Sequence, residues 1–437
     1  HLILTDLGPV ESAVVERAVQ AEVPYVVIVE EVEEAGRFHD EGVQVMVGAL
    51  DDPATYRNAR VEQAAMVVAT RNDPTNTNIA FTVREIAPGV EVLASANSPA
   101  AVDILEIAGA DHVVQLGEIL GSAMAARTLG LGGTSHVIGE FAGLKIAEAG
   151  VVGTQMVGRT PGDLTLRSRL GVGIIGVWQR GEFAIAMADT ELGETSMLLL
   201  AGTAEQLAAF DAEYAVDQVE ARHAVIIGGG RVGRAIGAVF DGEGISFSIV
   251  EQLAERRREG VSYVIGDAAN REILEAAGLA EASAVLITTH DDDINIYLTI
   301  YCRRLRPELQ IIPRANLDRN VATLHRAGAD SVLSYGSIGA TTIWNAMSRN
   351  DTVVLAEGLE VFRVPCPTSL AATTLAEAEV RSRTGCSVVA IATGGSMVTN
   401  PDPRRPLPGA GELVLIGDSA SQSAFLEAFP VSARAGA

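Results

Sequence analysis

The chain is poor in aromatic residues, in cysteine and in positive charge, and it contains no long hydrophobic run. Aromatic residues make up 4% of the 437 residues, whereas 48% are hydrophobic, so we expect an interior of Ala, Val, Ile and Leu. Such an interior is typical of buried parallel strands packed by helices. Because no stretch of about 18 consecutive apolar residues occurs, the sequence predicts no membrane-spanning helix.

Basic residues are scarce relative to acidic ones. The chain has 32 Lys and Arg against 56 Asp and Glu, which gives a formal net charge of −24 at pH 7. A surface of this sign repels a phosphate polymer, so we expect no nucleic-acid partner. The charge is interpreted as a contribution to solubility.

The three cysteines, Cys302, Cys366 and Cys386, are an odd number and lack the spacing of a metal site. They are therefore predicted to be free thiols in a reducing cytosol. Nor does the sequence contain a Ser/His/Asp set, a zinc spacing or a Walker loop, and His136 is interpreted as a structural residue at the start of a strand. No catalytic and no metal-binding residue is predicted.

The sequence begins inside a strand-like run, HLILTDLG, with no Met and no signal peptide before it. We interpret it as a fragment that is soluble by itself and whose preceding residues are missing.

The sequence repeats itself. HLILTDLGPVESAV at residue 1 resembles HAVIIGGGRVGRAI at residue 223, and LEIAGAD at residue 105 resembles LHRAGAD at residue 324. The repeated segments are spaced by roughly 220 residues, which indicates two diverged copies of one unit. The boundary between the copies is predicted at residues 215–222.

Each copy is predicted to contain two lobes. In residues 1–115 and 223–335, apolar strand runs alternate with helical patterns, which predicts an α/β fold with doubly wound, Rossmann-like parallel sheets. The segments 136–210 and 352–428 are predicted to be small α+β lobes, each with a strand, a Leu-rich helical segment, a strand and turn, and a closing strand. The four predicted domains are a first N-lobe with its crossover helix, a first C-lobe, a second N-lobe and a second C-lobe, at 1–134, 135–215, 216–350 and 351–437.

The segment VIIGGGRVGRAI contains the spacing G-x-G-x-x-G directly after a strand run. In this motif the first glycine, Gly228, allows the tight turn, and Gly230 lets the backbone approach a pyrophosphate. The third, Gly233, allows close packing of helix and strand, and the helix N-terminus offers amides to the anion. The alternative is that the three glycines only form a turn.

Polar residues at the ends of the following strands support a nucleotide site. Glu251 lies eighteen residues after Gly233 and can accept both ribose hydroxyls, which favours NAD or ADP over a 2′-phosphorylated cofactor. Asp267 ends the third strand, where an adenine edge could be read, and Thr288 and Thr289 end the fourth. Arg314 ends the fifth strand, where it could meet phosphate. The alternatives are a solvated strand-end acid for Glu251, a turn residue for Asp267, local caps for Thr288 and Thr289, and a structural ion pair for Arg314. The alternative for His290 is an exposed loop residue, and the acidic segment 291–293 is interpreted as a solvated loop rather than a cation site.

The residues predicted to bind the cofactor lie in the loop and at these strand ends: Gly228, Gly230, Arg231, Val232, Gly233, Glu251, Gln252, Asp267, Ala268, Thr288, Thr289, His290 and Arg314.

The first copy departs from this pattern. Asp6 stands where Gly228 does, Gly8 matches Gly230, and Glu11 stands where Gly233 does. A carboxylate facing a pyrophosphate is repulsive, and the missing third glycine loosens helix packing. We expect a structural sheet, with Asp6, Gly8, Glu30 and Thr70 as the weaker candidate site. An altered ligand, including a divalent cation near Asp51 or Asp52, is the remaining alternative.

The ordered set VIIGGGRVGRAI, VEQ, IGDA, ITTHDDDIN, PRAN and LHRAGAD, followed by LAEAEVRSRTGCSVVAI and PGAGELVLIGD, resembles tandem RCK (regulator of K⁺ conductance) domains. These domains are also called TrkA-type N and C domains. The resemblance covers nearly the whole chain and is clearer in the second copy.

The resemblance implies a regulatory function at the cytoplasmic face of the membrane, in which NAD, ADP or Ca²⁺ controls a potassium channel. It further implies homo-oligomers, with dimers assembled into a ring of four tandem subunits, and a pore domain that precedes this fragment or lies on a separate subunit. The alternatives are a separate TrkA-like subunit of a potassium uptake transporter, control of a cation/proton antiporter, and an NAD-dependent oxidoreductase. A dehydrogenase needs an acid/base group near the nicotinamide, and the small lobes offer none.

Overall fold

The structure is a computed structural model of the chain. It describes residues 1–129, 133–141, 143–179, 182–194, 196–215, 223–258, 260–347, 352–354, 359–394 and 396–430. The chain forms two compact units, of which the first combines His1–Met124 with His223–Arg349 and the second combines Ala125–Arg222 with Asn350–Ala437. The predicted boundary between the copies lies almost wholly outside the described residues, as does the boundary at 350 and 351.

The first unit contains two parallel sheets. The sheet of the first copy has six strands in the order β3-β2-β1-β4-β5-β6. These strands are β1 (Leu2–Leu4), β2 (Tyr25–Val29), β3 (Val45–Val47), β4 (Met66–Ala69), β5 (Glu91–Ser95) and β6 (His112–Val114). Helices connect them: α1 (Pro9–Gln20), α2 (Val32–Asp40), α3 (Pro53–Asn58), α4 (Asp73–Ile86) and α5 (Pro99–Ile107), and α6 (Leu116–Leu129) follows the sheet.

The first unit also contains the sheet of the second copy, again six parallel strands, in the matching order β14-β13-β12-β15-β16-β17. The strands are β12 (His223–Ile227), β13 (Ser246–Glu251), β14 (Tyr263–Ile265), β15 (Ala282–Ile287), β16 (Gln310–Ala315) and β17 (Leu333–Ser334). The helices are α10 (Arg231–Gly242), α11 (Arg271–Ala276), α12 (Asp292–Leu305), α13 (Val321–Arg326) and α14 (Tyr335–Met347). The predicted doubly wound architecture is therefore confirmed for both copies.

Local sequence explains the βα turn of the second copy. Four of the five residues of β12 are buried, as expected for a central strand covered on both faces. The glycine loop ends the strand, and α10 starts at Arg231 with Gly230 as its N-cap. The buried face of α10 includes Val232, Ile236 and Phe240, whose spacing of four places them along one side of the helix.

The two N-lobes pack against each other through their first and last helices. Helix α1 of the first copy lies against α14 of the second, and a Cβ added to Gly339 of α14 would lie 2.6 Å from the side chain of Val10. Conversely, a Cβ added to Gly121 of α6 would lie 2.9 Å from the carbonyl oxygen of Val232 in α10. Glycine at these positions therefore permits close, reciprocal contact between the copies.

The second unit contains two antiparallel five-stranded sheets, in the orders β10-β9-β11-β8-β7 and β18-β19-β22-β20-β21. The strands are β7 (His136–Phe141), β8 (Leu144–Gly150), β9 (Gly173–Gln179), β10 (Glu182–Ile185), β11 (Met197–Gly202), β18 (Thr352–Val354), β19 (Glu360–Pro365), β20 (Ser387–Thr393), β21 (Ser396–Thr399) and β22 (Glu412–Gly417). The helices are α7 (Pro161–Leu164), α8 (Leu166–Leu170), α9 (Ala204–Tyr214), α15 (Leu375–Ala378), α16 (Val380–Thr384) and α17 (Ser419–Ala428).

The start of the first small lobe differs from the expectation of a single strand. The segment 136–150 forms two antiparallel strands, β7 and β8, because the chain reverses at Gly143, which has a φ of +85°. Apolar residues of both small lobes, including Leu199 and Val414, share one buried cluster, so the two antiparallel sheets have a common core. The same unit buries an ion pair between Arg127 and Glu148, whose Nε and Oε2 atoms lie 2.6 Å apart.

Candidate functional site

The carboxyl ends of β12, β13, β14 and β15 border a cavity of about 460 Å³ in the second N-lobe. This is the crevice at which the strand order reverses, where doubly wound sheets bind their ligands. Nine of the predicted residues line it: Gly228, Gly230, Glu251, Gln252, Asp267, Ala268, Thr288, Thr289 and His290.

Glycine stands at each of the three loop positions for a different structural reason. Gly228 has a φ of +106°, which disfavours any residue with a side chain. A Cβ at Gly233 would overlap the carbonyl oxygen of Gly228, so this position needs glycine for the helix to reach the strand. Around Gly230 the space is open, and the nearest neighbour of an added Cβ would be the His290 Nε2 at 3.7 Å. Only Gly230 therefore leaves room for a ligand.

Glu251 is held in one orientation at the end of β13 and is only 6% exposed. Its Oε2 accepts a hydrogen bond from the Gly229 amide at 2.9 Å, and its Oε1 accepts one from the Leu253 amide at 3.0 Å. The Arg256 guanidinium lies 3.5 Å from the same Oε2. Each carboxylate oxygen retains a lone pair, so the group can still accept ribose hydroxyls.

The two threonines make local hydrogen bonds. The Thr288 hydroxyl donates to the carbonyl oxygens of Ile227 and Gly228, each at 3.0 Å, and thereby ties β15 to the glycine loop. The Thr289 hydroxyl lies 2.6 Å from Asn295 Oδ1, and the Asn295 amide donates to the Arg314 carbonyl. Both threonines thus fix the shape of the cavity wall as well as lining it.

His290 lines the cavity with one part of its side chain and is open to solvent with the rest. Partial burial lowers the pKa of its imidazole, and the positive charges of Arg314, Arg231 and Arg256 lower that pKa further. Three guanidinium groups therefore act electrostatically on one histidine, in a chain whose net charge is strongly negative. Asp267, on the opposite wall, is exposed, and its Oδ1 accepts a hydrogen bond from the Ala269 amide at 2.9 Å.

Several lining residues were not predicted: Arg256, Gly266, Ala269, Asp293, Ile294, Tyr297 and Leu298. The last four lie on α12 at helical spacing, so a helical face directed at the cavity was the available signal. The segment 291–293 was interpreted as a solvated loop, and this was wrong for Asp292. That residue is only 8% exposed and accepts hydrogen bonds from Asn316 and Asn320.

The structure places the remaining predicted residues elsewhere. Arg231, Val232 and Arg314 line a neighbouring cavity of about 280 Å³, which His290 also borders. Residues of the first copy, Pro9 and Gly117, form its other side. This cavity lies between the two N-lobes, a position that the sequence did not predict.

In the first copy the loop amides are occupied by the chain's own carboxylates. The Gly8 amide donates to Glu11 Oε2 at 2.9 Å, and the Leu7 amide donates to Asp6 Oδ1 at 3.0 Å. Glu11 is 3% exposed, and burial raises the pKa of its carboxyl group. At the corresponding position of the second copy Gly233 has no side chain, so an equivalent contact is impossible there.

Two further first-copy candidates have other roles: Glu30 forms an ion pair with Arg71, and Thr70 lines a different cavity. Arg71 Nη1 donates to Glu30 Oε2 at 3.0 Å, and its Nε lies 3.9 Å from Asp6 Oδ1. Asp6 and Thr70 line a polar cavity of about 390 Å³ together with Arg71 and Arg231. This cavity borders the second copy and does not match the nucleotide crevice of the second N-lobe.

The cation alternative near Asp51 or Asp52 gains no support. Asp52 caps α3, and its Oδ1 accepts a hydrogen bond from the Ala54 amide at 2.8 Å. Within the part of the chain that the structure describes, no group of three or more His, Cys, Asp or Glu side chains could hold a metal ion. Within the same residues, no helix is long and apolar enough to cross a bilayer.

Known proteins match the chain over different lengths. The TrkA-N domain family matches residues 3–116 and 224–335. The probable potassium channel protein 2 of Methanocaldococcus jannaschii is 26% identical over 202 residues, which cover 41% of this chain and 59% of that protein. The Trk system potassium uptake protein TrkA homolog of Pyrococcus horikoshii is 35% identical over 95 residues, which cover 21% of this chain and 42% of that protein. The chain thus spans less than two thirds of the length of these relatives.

Two solved structures match almost the whole chain. The crystal structure of the GsuK RCK domain is 34% identical, with a TM-score of 0.72, and the match covers 98% of this chain and 94% of that one. The structure of the GsuK channel bound to NAD is likewise 34% identical, with a TM-score of 0.71 over 98% of this chain and 78% of that one.

Proposed function

Because the chain belongs to the TrkA-N domain family and carries that domain twice, we propose that it is a ligand-sensing regulatory module that binds an adenine nucleotide. The predicted resemblance to tandem RCK domains is confirmed by the match to the GsuK RCK domain over nearly the full chain. Beyond the family, we propose where the ligand binds, which ligand it is and what its binding does.

One observation carries the proposal. At the point where the strand order of the second N-lobe reverses, an open glycine position and an oriented, buried carboxylate face the same cavity. Gly230 lets a diphosphate approach the amides at the start of α10, and Glu251 stands at the end of the next strand, where a ribose would lie. The cavity of about 460 Å³ lies within the range of about 300–1,000 Å³ that is usual for small-molecule sites.

We assign the roles from these positions. The backbone at Gly228, Gly230, Arg231 and Val232 would hold the pyrophosphate, with Gly233 keeping the helix close. Glu251 and Gln252 would bind the adenosine ribose, and Asp267 and Ala268 would lie beside the adenine. The second half of a dinucleotide would lie toward Thr288, Thr289, His290 and Arg314. In this role the chain binds and orients the ligand, and no proton transfer is assigned to any residue.

NAD is the ligand best supported, since the channel bound to NAD is 34% identical to this chain. ADP contains the same adenosine diphosphate unit and would use the same loop and carboxylate. The weaker candidates of the first copy, Asp6, Gly8, Glu30 and Thr70, are not assigned to a nucleotide, because the carboxylates of Asp6 and Glu11 occupy the loop amides. Ca²⁺ is assigned no residue.

We propose that ligand binding is coupled to a potassium channel pore at the cytoplasmic face of the membrane. A ligand that prefers one geometry of the module shifts the pore by its differential affinity, typically about 1–3 kcal/mol per coupled site. The subunits would form dimers and then a ring of four, with lobes at 1–134, 135–215, 216–350 and 351–437. The pore would be supplied by the same polypeptide or by another subunit.

The site is tested by calorimetry with NAD and ADP on wild type and Glu251→Gln. A hydrogen bond to a charged group is worth about 1.5–3 kcal/mol, so the variant should bind about 10- to 150-fold more weakly. Glu243→Gln is the matched control, because Glu243 is exposed, caps the C-terminal end of α10 and does not line the cavity. Equal affinity of wild type and Glu251→Gln would refute the assignment.

Coupling is tested by potassium flux in vesicles that contain the full-length protein. Addition of NAD at a concentration near its wild-type dissociation constant should change the flux through wild type and change it much less through Glu251→Gln. Saturating NAD that leaves the flux unchanged would refute the coupling while leaving the binding site intact.

The TrkA homolog that matches the chain over 95 residues supports a second candidate, a separate regulatory subunit of a potassium uptake transporter. Deletion of the gene should then abolish potassium uptake in cells whose pore subunits remain. An oxidoreductase would instead consume NADH in the presence of a carbonyl substrate, and a lack of turnover with NADH bound would exclude it.

A further inference from the structure

The cavity of about 280 Å³ between the two N-lobes is distinct from the nucleotide crevice. Arg231, Arg314, His290 and Tyr335 of the second copy line it, with Pro9 among the residues of the first copy on its other side. At roughly 30 Å³ per water molecule, it has room for about nine waters. A small polyatomic group with its hydration would therefore fit.

The main feature of this cavity is a buried cation. Arg314 is 4% exposed, and its Nε has no hydrogen-bond partner. Its guanidinium lies over the ring of Tyr335, 4.3 Å from the centroid. Among the described residues no carboxylate lies within 4.0 Å of the Arg314 side chain, although buried charges are normally paired.

The nearby acid is already engaged. Asp292 Oδ1 accepts hydrogen bonds from the Asn316 backbone amide at 2.7 Å and from the Asn316 side chain at 2.9 Å. Its Oδ2 accepts from Asn320 at 2.7 Å and from the Leu317 amide at 3.1 Å. Because four hydrogen-bond donors already occupy its two oxygens, the Asp292 carboxylate offsets the charge of Arg314 only by longer-range electrostatic attraction.

A second guanidinium adds to the positive charge. Burial and, to a smaller extent, the proximity of Arg231 lower the pKa of Arg314 to about 10, so the Arg314 guanidinium is still charged at neutral pH. Arg231 is exposed on its outer side, and its Cβ packs 3.1 Å from the position that a Cβ of Gly117 would take. The two arginines thus face one cavity, and no described carboxylate forms a salt bridge with either.

We propose that the cavity between the N-lobes is an anion-binding site in which Arg314 and Arg231 hold a phosphate-sized oxyanion beside Tyr335. The unpartnered Nε supplies a donor that is already desolvated, and charge-assisted hydrogen bonds to such groups are the strong ones. Because Pro9 and Gly117 line the opposite wall, the bound anion would contact both copies and stabilise their packing.

The oxyanion can come from two sources. It is either a free inorganic anion or the outer phosphate of a nucleotide bound in the neighbouring crevice, since His290 borders both cavities. The proposal does not require the nucleotide site, because it rests on the environment of Arg314.

The experiment measures binding of inorganic phosphate to the 437-residue chain by calorimetry and by the rise in its melting temperature, at constant ionic strength set with chloride. Wild type should bind, and Arg314→Gln and Arg231→Gln should each bind at least about tenfold more weakly. Arg326→Gln is the control, because it removes an equal charge from an exposed position outside the cavity. Arg314→Lys should recover part of the affinity.

A second arm repeats the titration with saturating NAD. Loss of phosphate binding would identify the anion as the nucleotide's own phosphate, and independent binding would identify a free anion. If circular dichroism shows that Arg314→Gln does not fold, the phosphate affinity of Arg231→Gln, a change at an exposed residue, tests the proposal instead. The proposal would be overturned if wild type did not bind phosphate, or if wild type and Arg231→Gln bound it equally well. Glu251→Gln should weaken NAD binding and leave phosphate binding unchanged.

Discussion

Replacement of Gly230 by glutamate tests the phosphate-binding loop with little effect on the fold. Gly230 has a φ of −68° and a ψ of −167°, a conformation open to any residue, and an added Cβ would meet only His290 at 3.7 Å. The new side chain would place a carboxylate in front of the first amides of α10. That arrangement resembles the first copy, where Glu11 accepts a hydrogen bond from the Gly8 amide.

The size of the effect follows from the repulsion between like charges. A carboxylate and a phosphate about 5 Å apart, at an effective dielectric constant of about 20, repel each other by about 3 kcal/mol. This energy corresponds to a loss of affinity for NAD or ADP of about 100-fold or more. Higher salt should reduce the loss, because the loop is open to solvent and its charges are screened.

The assay is calorimetry with wild type, Gly230→Glu and Gly230→Gln, together with melting temperatures. Glutamine has nearly the same volume without the charge, so the difference between the two variants isolates the electrostatic part. All three proteins should melt within a few degrees of one another. The reasoning fails if Gly230→Glu binds nucleotide as tightly as Gly230→Gln, or if it no longer folds.

Three further outcomes are expected. Gly233→Ala should lower the free energy of unfolding by about 1–3 kcal/mol in urea titrations, since its Cβ would overlap the Gly228 carbonyl; an unchanged midpoint would contradict this. Arg127→Met should cost about 3–5 kcal/mol by leaving the buried Glu148 carboxylate without its guanidinium, and a second change of Glu148 to Leu should recover most of the loss. Burial raises the pKa of all three thiols, to about 12 and about 11 for the two that are fully buried, so a thiol reagent at neutral pH should label the half-buried Cys366 first.

The duplication and the parallel sheets could be predicted because their signals are local. Apolar runs such as AVIIG and AVLITT have the length of buried strands, and the structure forms β12 and β15 from them. The glycine spacing likewise predicted the turn at Gly228, because only the backbone of nearby residues decides it. The hairpin of β7 and β8 was missed, since one glycine, Gly143, interrupts an otherwise continuous strand pattern.

Other features depend on residues that are distant in the chain. Asp292 is buried because Asn316 and Asn320, far along the sequence, bring their donors to it. Glu11, at the position of the third glycine, was expected to loosen the packing of its helix, whereas its side chain is buried and its carboxylate accepts a hydrogen bond from the Gly8 amide. No periodicity in the sequence encodes either environment.

The amino-acid sequence alone therefore determined the repeated unit, the alternation of its strands and helices, and the residues at the strand ends, since strand length, turn geometry and alternation are properties of short segments. The cavity between the N-lobes was decided only by tertiary structure. It exists because α1 and α14 pack closely through small residues and bring Pro9 opposite Arg314. These two residues are more than 300 positions apart in the chain. Burial and charge pairing arise from that packing, so they become visible only once the lobes are assembled.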